Sequence, residues 1–189
     1  MNKKIFTSML TQPGREKWRN LALKDASNLG LNVKIELDDG RTLSEKRVDA
    51  LKKCDKPYFI WLDDDDRYPD NGALQFLIKK MDKSESPFGF SAERKIDSDG
   101  NFFNVTSSEF IYDFNVHVDN PSHVHGLIII KREFIDDEIL NKMLYKKFPE
   151  HCLTLELAIN YGAPCFTNLI GRHWRQHNNN YYKTNITYK

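Results

Sequence analysis

The chain has 189 residues, of which 40% are hydrophobic and 29% are charged. These values are typical of one soluble globular domain that is long enough to build a real core. The formal net charge of +1 provides no overall field that would attract nucleic acid or a membrane, so such a contact would need a local patch.

Strands and helices alternate through the first half of the chain. The predicted strands cover residues 4–10, 33–37 and 58–62. Predicted helices run over about 15–29 and 42–54 and, capped by Asp70 or Asn71, through Met81. The second of these helices opens with capping-box spacing between Thr42 and Glu45. This alternation predicts a parallel, doubly wound α/β sheet.

The second half is less regular. We predict strands at 88–91, 125–130 and 163–169, with a hairpin that pairs 93–96 with 102–105 around the turn at 97–100. Helices are predicted near 133–144 and from Pro149 to about Tyr161. We expect one domain over residues 1–189, with halves at about 1–84 and 85–177 and a polar tail at 178–189.

An acidic run follows the third predicted strand, where four consecutive aspartates occupy residues 63–66. Ligands of open α/β sheets lie at the carboxyl ends of buried strands. Four adjacent carboxylates repel one another strongly when partly desolvated, even at an effective dielectric constant of about 20. Mg²⁺ or Mn²⁺ would relieve this repulsion. The alternative is a solvated acidic turn ahead of a helix.

The cysteines and the amino terminus bear on location. Cys54, Cys152 and Cys165 are odd in number and lack the spacing of a metal site, which favours buried thiols in a reducing, cytoplasmic compartment. The apolar residues after Lys4 are too few for a signal peptide, and no segment reaches the length of a membrane span. We therefore expect a cytoplasmic protein.

Several motifs in this order resemble those of GT-A-fold glycosyltransferases, most closely family 2. They are the acidic strand end at 38–40, the helix containing 46–50, the Asp-x-Asp-like run at 61–66 with Pro69 beyond, the helix start at 149–151 and the Arg-x-His at 175–177. The resemblance spans roughly residues 3–177. It implies a GT-A-like (Rossmann-like) fold, with a mostly parallel sheet flanked by helices.

The resemblance also implies an activity. A metal-dependent, inverting enzyme would move a hexosyl or pentosyl group from a nucleoside-diphosphate sugar to an acceptor hydroxyl. The first half would bind the nucleotide and the second half would carry the acceptor and catalytic groups. The expected ligands of Mn²⁺ or Mg²⁺ are Asp65, Asp66 and His177.

Other residues are expected to hold the donor. They are Asp38 and Asp39 at the base or ribose, Arg15 and Arg47 at phosphate oxygens, Asp63 at the strand end, and Arg175. The alternative for Arg15 and Arg47 is a solvated helix face. His123 and His125 are candidates for the donor-sugar or acceptor pocket, and a purely structural role is the alternative for them and for His177.

The general base is left open between two residues. The family has an Asp after the Glu of its helix start, and this chain has His151 after Glu150. A carboxylate or an imidazole can accept a proton from a hydroxyl near neutral pH. A capping or surface role is the alternative for His151.

Two other functions compete with a transferase. A nucleotidyltransferase or nucleotide hydrolase also uses paired carboxylates and a divalent ion, although no glycine-rich phosphate loop follows the first strand. A non-catalytic nucleotide-sugar-binding module is the other. The acceptor is a glycan, a lipid-linked sugar, a protein or a modified base in DNA. Basic and aromatic residues in 172–183 suggest DNA as the acceptor. The alternative is that these aromatic residues close the core and the basic residues contact the donor diphosphate.

Overall fold

The computed structural model of the protein describes residues 2–103 and 111–177. Within these residues six strands form one sheet: β1 (Ile5–Thr11), β2 (Val33–Leu37), β3 (Tyr58–Asp63), β4 (Phe88–Ile96), β5 (Ile128–Lys131) and β6 (Cys165–Arg175). The α-helices are α1 (Glu16–Asn28), α2 (Leu43–Lys52), α3 (Ala73–Asp82), α4 (Phe114–Asp119), α5 (Asp137–Met143) and α6 (Pro149–Tyr161). Short 3-10 helices cover Asn2–Lys4 and Arg132–Phe134.

The sheet is mostly parallel, as the sequence predicts. Its strand order is β2-β1-β3-β5-β4-β6. The β1–β2, β1–β3 and β4–β6 pairs are parallel, and β5 is antiparallel to both β3 and β4. All strands except β5 therefore point the same way, and the amino end of β5 lies at the edge where the other strands end.

Helices cover both faces of the sheet. The core on one face joins side chains of α2, α5 and α6, and the core on the other joins side chains of α1 and α3. Along β3, Phe59 packs into the first core, whereas Ile60 and Leu62 pack into the second. This alternation is the period of two that a strand imposes on its side chains. With helices on both faces, β3 is apolar from Tyr58 to Leu62, ahead of Asp63.

The capping box that begins α2 is confirmed. The Thr42 hydroxyl accepts a hydrogen bond from the Glu45 amide at 3.2 Å, and the Glu45 carboxylate accepts one from the Thr42 amide at 2.8 Å. Two amides that the helix cannot satisfy internally gain partners this way. The start of α6 at Pro149 is confirmed as well, since proline suits a position whose amide has no helical partner.

Two predicted helix starts were wrong. Neither Asp70 nor Asn71 caps α3; the cap is Gly72, which has a φ of +86°, while the Asn71 side chain accepts from the Ala73 amide at 3.2 Å. The predicted helix at 133–144 is a 3-10 turn followed by α5. The Asp136 carboxylate accepts from the Ile139 amide at 2.9 Å and starts α5 there, as a capping aspartate does.

The predicted hairpin after β4 is present only as a turn and one bridge. Asp97 accepts from the amides of Asp99 and Asn101, and Phe102 pairs with Ile96. Residues 104 and 105 of the predicted second strand lie outside the described residues. The main partner of the end of β4 is β6, which is longer than predicted.

The three cysteines are free and buried, which confirms the expected thiols. Across the described residues, no helix combines the length and apolar character needed to cross a membrane.

Candidate active site

The acidic run lies where parallel strands end. Asp63 is the last residue of β3, and the aspartates after it form the turn that follows. Asp64, Asp65 and Asp66 are only 1%, 7% and 1% exposed. The alternative prediction of a solvated acidic turn was therefore wrong, and each of these buried carboxylates needs a partner.

Arginines supply partners at both ends of the run. Asp63 accepts from Arg47 Nη2 at 2.8 Å and from Arg172 Nη2 at 2.9 Å. Asp66 accepts from Arg172 Nε at 2.5 Å and from the Arg175 amide at 2.7 Å. Arg172, on β6, thus ties the two ends of the run together across a large separation in sequence.

These cations set the charge state of Asp63. Burial favours its neutral acid, but Arg172 and Arg47 outweigh burial and lower the pKa of Asp63 to about 2. Burial raises the pKa of Asp66. The charge on Asp66 therefore depends on its short contact with Arg172.

The middle of the run faces α1 and the end of the described chain. Arg15, just before α1, contacts Asp64 at 2.9 Å and Asp65 at 3.2 Å. His177 Nε2 lies 2.8 Å from Asp65 Oδ2. The His177 ring packs on Trp18, with 4.6 Å between ring centroids.

The three predicted metal ligands converge only in part. Asp65 and His177 are in contact, whereas both oxygens of Asp66 are bonded to Arg172 and Arg175. Among the described residues, no three His, Cys, Asp or Glu side chains form a group that could hold a metal ion. A carboxylate oxygen and an imidazole nitrogen nevertheless fit Mn²⁺, which can complete its shell with substrate phosphates and water.

Arg47 links the run to the start of α6. Besides Asp63, it donates from Nε to Glu150 Oε1 at 2.6 Å, and its guanidinium lies 5.3 Å from the Trp61 ring centroid. Arg47 is 6% exposed, and its buried Nη1 has no hydrogen-bond partner among the described residues. An anionic oxygen reaching this position would satisfy that N–H, which is costly to leave unpaired.

His151, the other candidate for the general base, is hydrogen-bonded to the backbone of α4. Its Nε2 donates to the backbone carbonyl of His117 at 2.7 Å. His117 is fully buried, with Nδ1 3.0 Å from the Tyr112 hydroxyl and Nε2 3.1 Å from Thr154 Oγ1. The His151 side chain therefore joins α6 to α4, away from the acidic run.

The His117 cluster predicts a loss of stability in acid. Burial, followed by repulsion from His151 and His123, lowers the pKa of His117 to about 4. Below the unfolded pKa of about 6.5, the unfolded chain binds a proton that the folded chain does not. Stability is therefore full above that value and falls as the pH drops toward the folded pKa. Between about pH 7.5 and about pH 5, the proton uptake linked to His117 should lower the free energy of unfolding by about 2 kcal/mol.

Urea unfolding at the two pH values measures this loss. In His117→Gln, which has no proton to gain at this position, the drop should shrink by the same amount. An equal drop in the variant and in the wild type would contradict the assignment to His117.

The predicted base-or-ribose residues lie at the opposite side of β1. Asp38 pairs with Lys46, and Asp39 accepts from Arg41 Nε at 2.7 Å. The Asp38 and Asp39 side chains are 39% and 44% exposed. Both carboxylates are therefore oriented by a cation and open to a ligand.

The Arg175 guanidinium is held by backbone carbonyls next to the acidic run. Its Nε donates to the Asp65 carbonyl at 2.6 Å and its Nη1 to the carbonyls of Asp97 and Ser98 at 2.9 Å. Arg172 and Arg175 thus point inward, which disfavours a nucleic-acid groove built on them. The rest of the basic and aromatic tail, residues 178–189, lies outside the described residues.

Sequence reasoning missed two contributors. Arg172 was noted only as part of the basic tail, and Glu93, which lies 2.5 Å from His125 Nδ1, was not considered. The available signal was an ionisable residue inside each of two neighbouring strands, Glu93 in β4 and Arg172 in β6. A charge inside a covered sheet needs a partner or a function.

The fold and the site define a class. A mostly parallel α/β sheet flanked by helices confirms the GT-A-like fold predicted from the motifs. The model of "Glycosyl transferase family 2" matches residues 19–139, more than half of the chain. The chain therefore belongs to glycosyltransferase family 2.

Solved structures show the same fold. S. aureus TarS 1–349 matches with a TM-score of 0.67 at 13% identity, covering 91% of this chain and 60% of that one. Its complex with UDP-GlcNAc gives 0.68 at 13% identity, covering 98% and 62%. The bifunctional IspDF from Campylobacter jejuni gives 0.54 at 14% identity, covering 88% and 50%.

The chain thus spans about 60% of the length of the TarS fragment. No curated protein sequence is significantly similar to it.

Proposed function

We propose that this glycosyltransferase moves a sugar from a uridine diphosphate sugar to an acceptor hydroxyl with the help of Mn²⁺ or Mg²⁺. The observation that carries the proposal is the contact between Asp65 and His177 beside a buried acidic run, in a chain of this family. The TarS structures include complexes with UDP and with UDP-GlcNAc, which supports a uridine nucleotide.

In this proposal the donor lies along the edge where the strands end. Asp38 and Asp39 accept hydrogen bonds from the base and ribose, because their carboxylates are oriented and open. Arg15 and Arg47 lie on the diphosphate side, and the unpaired Nη1 of Arg47 suits a phosphate oxygen. Residues 1–84 then form most of the nucleotide site, and residues 85–177 carry the groups that act on the acceptor.

Glu150 is the proposed general base. Arg47 holds Oε1 at 2.6 Å, and the carboxylate is 28% exposed, so its other oxygen can take a proton. The acceptor oxygen forms a bond to the anomeric carbon as the bond from that carbon to the diphosphate breaks. The acceptor proton passes to Glu150, and the nucleoside diphosphate leaves from the opposite face, which inverts the anomeric configuration.

Asp65 and His177 would hold the divalent ion. When bound, the ion supplies positive charge to the diphosphate as its negative charge develops. The chain supports this position with Arg15, which contacts Asp65 at 3.2 Å, and with Trp18, which fixes the His177 ring.

Thermal unfolding with UDP tests the proposal. At a hundredfold excess over its dissociation constant, UDP with Mn²⁺ should stabilise the protein by about 2.7 kcal/mol. For a chain of this length that is a rise of about 5–10 °C in Tm. Asp65→Asn should lose most of this shift, because it removes a charged ligand of the ion, and EDTA should abolish it in the wild type.

Asp70→Asn is the matched control, since Asp70 is an exposed carboxylate a few residues beyond the run, and it should keep the full shift. A shift with UDP that is independent of Mn²⁺ would contradict the metal. With UDP-GlcNAc as substrate, release of UDP supports a transferase, whereas release of UMP and a sugar 1-phosphate supports a nucleotide hydrolase. Release of pyrophosphate from UTP and a sugar 1-phosphate would support a nucleotidyltransferase.

We also infer a cytoplasmic location from the free, buried thiols of Cys54, Cys152 and Cys165, which a reducing compartment preserves.

A further inference from the structure

A carboxylate–imidazole pair lies across β3 from the proposed nucleoside site. It is formed by Glu93 of β4 and by His125, just before β5. In the strand order β2-β1-β3-β5-β4-β6, Asp38 and Asp39 follow β2, on one side of the acidic run. The Glu93–His125 pair lies on the other side, at the same edge of the sheet.

The geometry of the pair is well defined. His125 Nδ1 lies 2.5 Å from Glu93 Oε2, and the imidazole packs edge-on to Trp174 with 4.7 Å between centroids. Gly126 follows with a φ of +89°, and a Cβ there would lie 2.2 Å from the Ser91 carbonyl. The loop therefore fits against β4 only with glycine at this position, which fixes the placement of His125.

The pair leaves one imidazole nitrogen available. Burial raises the pKa of Glu93, but the hydrogen bond with His125 and the charge of Arg172 outweigh it, so the pKa is lowered. An ionised Glu93 holds a proton on Nδ1 of His125. No contact within the described part of the chain uses His125 Nε2, and the side chain is 24% exposed. A ligand can therefore reach this nitrogen.

The order of the groups in a nucleotide sugar indicates which of them lies beside His125. In a nucleoside-diphosphate sugar, the diphosphate joins the nucleoside on one side to the sugar on the other. With the nucleoside over β2 and β1 and the diphosphate at the end of β3, the sugar lies over β5 and β4. We propose that His125, oriented by Glu93, hydrogen-bonds a hydroxyl of the donor sugar through Nε2 and so contributes to sugar specificity; this rests on the proposed function.

Titration calorimetry with two probes, UDP and UDP-GlcNAc, tests this assignment in the presence of Mn²⁺. His125→Ala should bind UDP as the wild type does but bind UDP-GlcNAc about tenfold more weakly, the effect of one hydrogen bond involving a charge-supported imidazole. Glu93→Gln should show a smaller loss in the same direction, because Gln can still accept from Nδ1 but carries no charge. In both variants, KM for UDP-GlcNAc should rise more than kcat falls.

Arg94→Gln is the control, because Arg94 is the exposed neighbour of Glu93 on β4 and should leave both affinities unchanged. Unchanged binding of UDP by His125→Ala also shows that the variant is folded. If UDP-GlcNAc binding is unchanged in a variant that binds UDP, the inference is overturned while the proposed function stands. A lower kcat with unchanged donor binding would place the pair at the acceptor and overturns it too. If the wild type binds neither probe, the proposed function fails and the inference with it.

Discussion

Glu150→Gln should lower kcat for sugar transfer by about 10²–10⁴-fold, the range for loss of a general base. Gln keeps the size of the side chain and can still accept from Arg47 Nε, but it cannot take a proton from the acceptor. The affinity for UDP-GlcNAc should stay close to that of the wild type. Steady-state release of UDP, with water as the acceptor of the sugar, gives kcat. Calorimetry gives the affinity for UDP-GlcNAc.

His151→Gln is the comparison that decides between the two candidates. Because His151 Nε2 is bonded to the His117 carbonyl, its loss should affect the packing of α4 on α6 more than the reaction. If His151→Gln abolished transfer while Glu150→Gln retained it, the assignment of the base would be reversed.

Arg172→Met should lower the free energy of unfolding by about 3–5 kcal/mol, as expected when one partner of a buried charge network is removed. The change leaves Asp66, whose side chain is 0% exposed, without its guanidinium, and it takes one of the two arginines from Asp63. Arg172→Lys should be intermediate, since an ammonium cannot reproduce the fork that reaches both carboxylates. Urea unfolding monitored by tryptophan fluorescence measures each value.

Lys142→Met provides the control for this prediction. Lys142 also contacts two carboxylates, Glu138 and Glu156, but its side chain is 41% exposed, so its loss should cost much less stability than the loss of Arg172. Adding Asp66→Asn to Arg172→Met should recover part of the loss, because the buried charge is then absent. Equal costs for Arg172→Met and Lys142→Met would contradict the account of the buried network.

The elements that were predicted well are those whose signal is local. The bounds of β2, the capping box at Thr42 and the start of α6 at Pro149 follow from a few adjacent residues. The antiparallel direction of β5 could not be predicted, because the hydrophobic pattern of a buried strand is the same in either direction. The true length of β6 was missed because its second half contains polar residues that pair with the acidic run.

For the candidate site, too, local features could be predicted from the sequence and long-range contacts could not. The acidic run was visible as a sequence motif, but its burial was not, because burial depends on which cations reach it. The chain has 28 lysines and arginines, and composition cannot tell which of them face inward. Arg172 lies 109 positions from Asp63. The pairing of β6 with β4 and the bridge between His173 and Arg67 bring the arginine to the carboxylate.

The reversed direction of β5 has a consequence for redesign. The segment that enters β5 opens onto the same rim as the segments that leave β3 and β4, although it connects to the opposite end of its strand. Loops of other lengths can therefore be grafted ahead of His125 to reshape the surface beside the acidic run. The connections from helices to strands, and the two hydrophobic cores on the faces of the sheet, would remain unchanged.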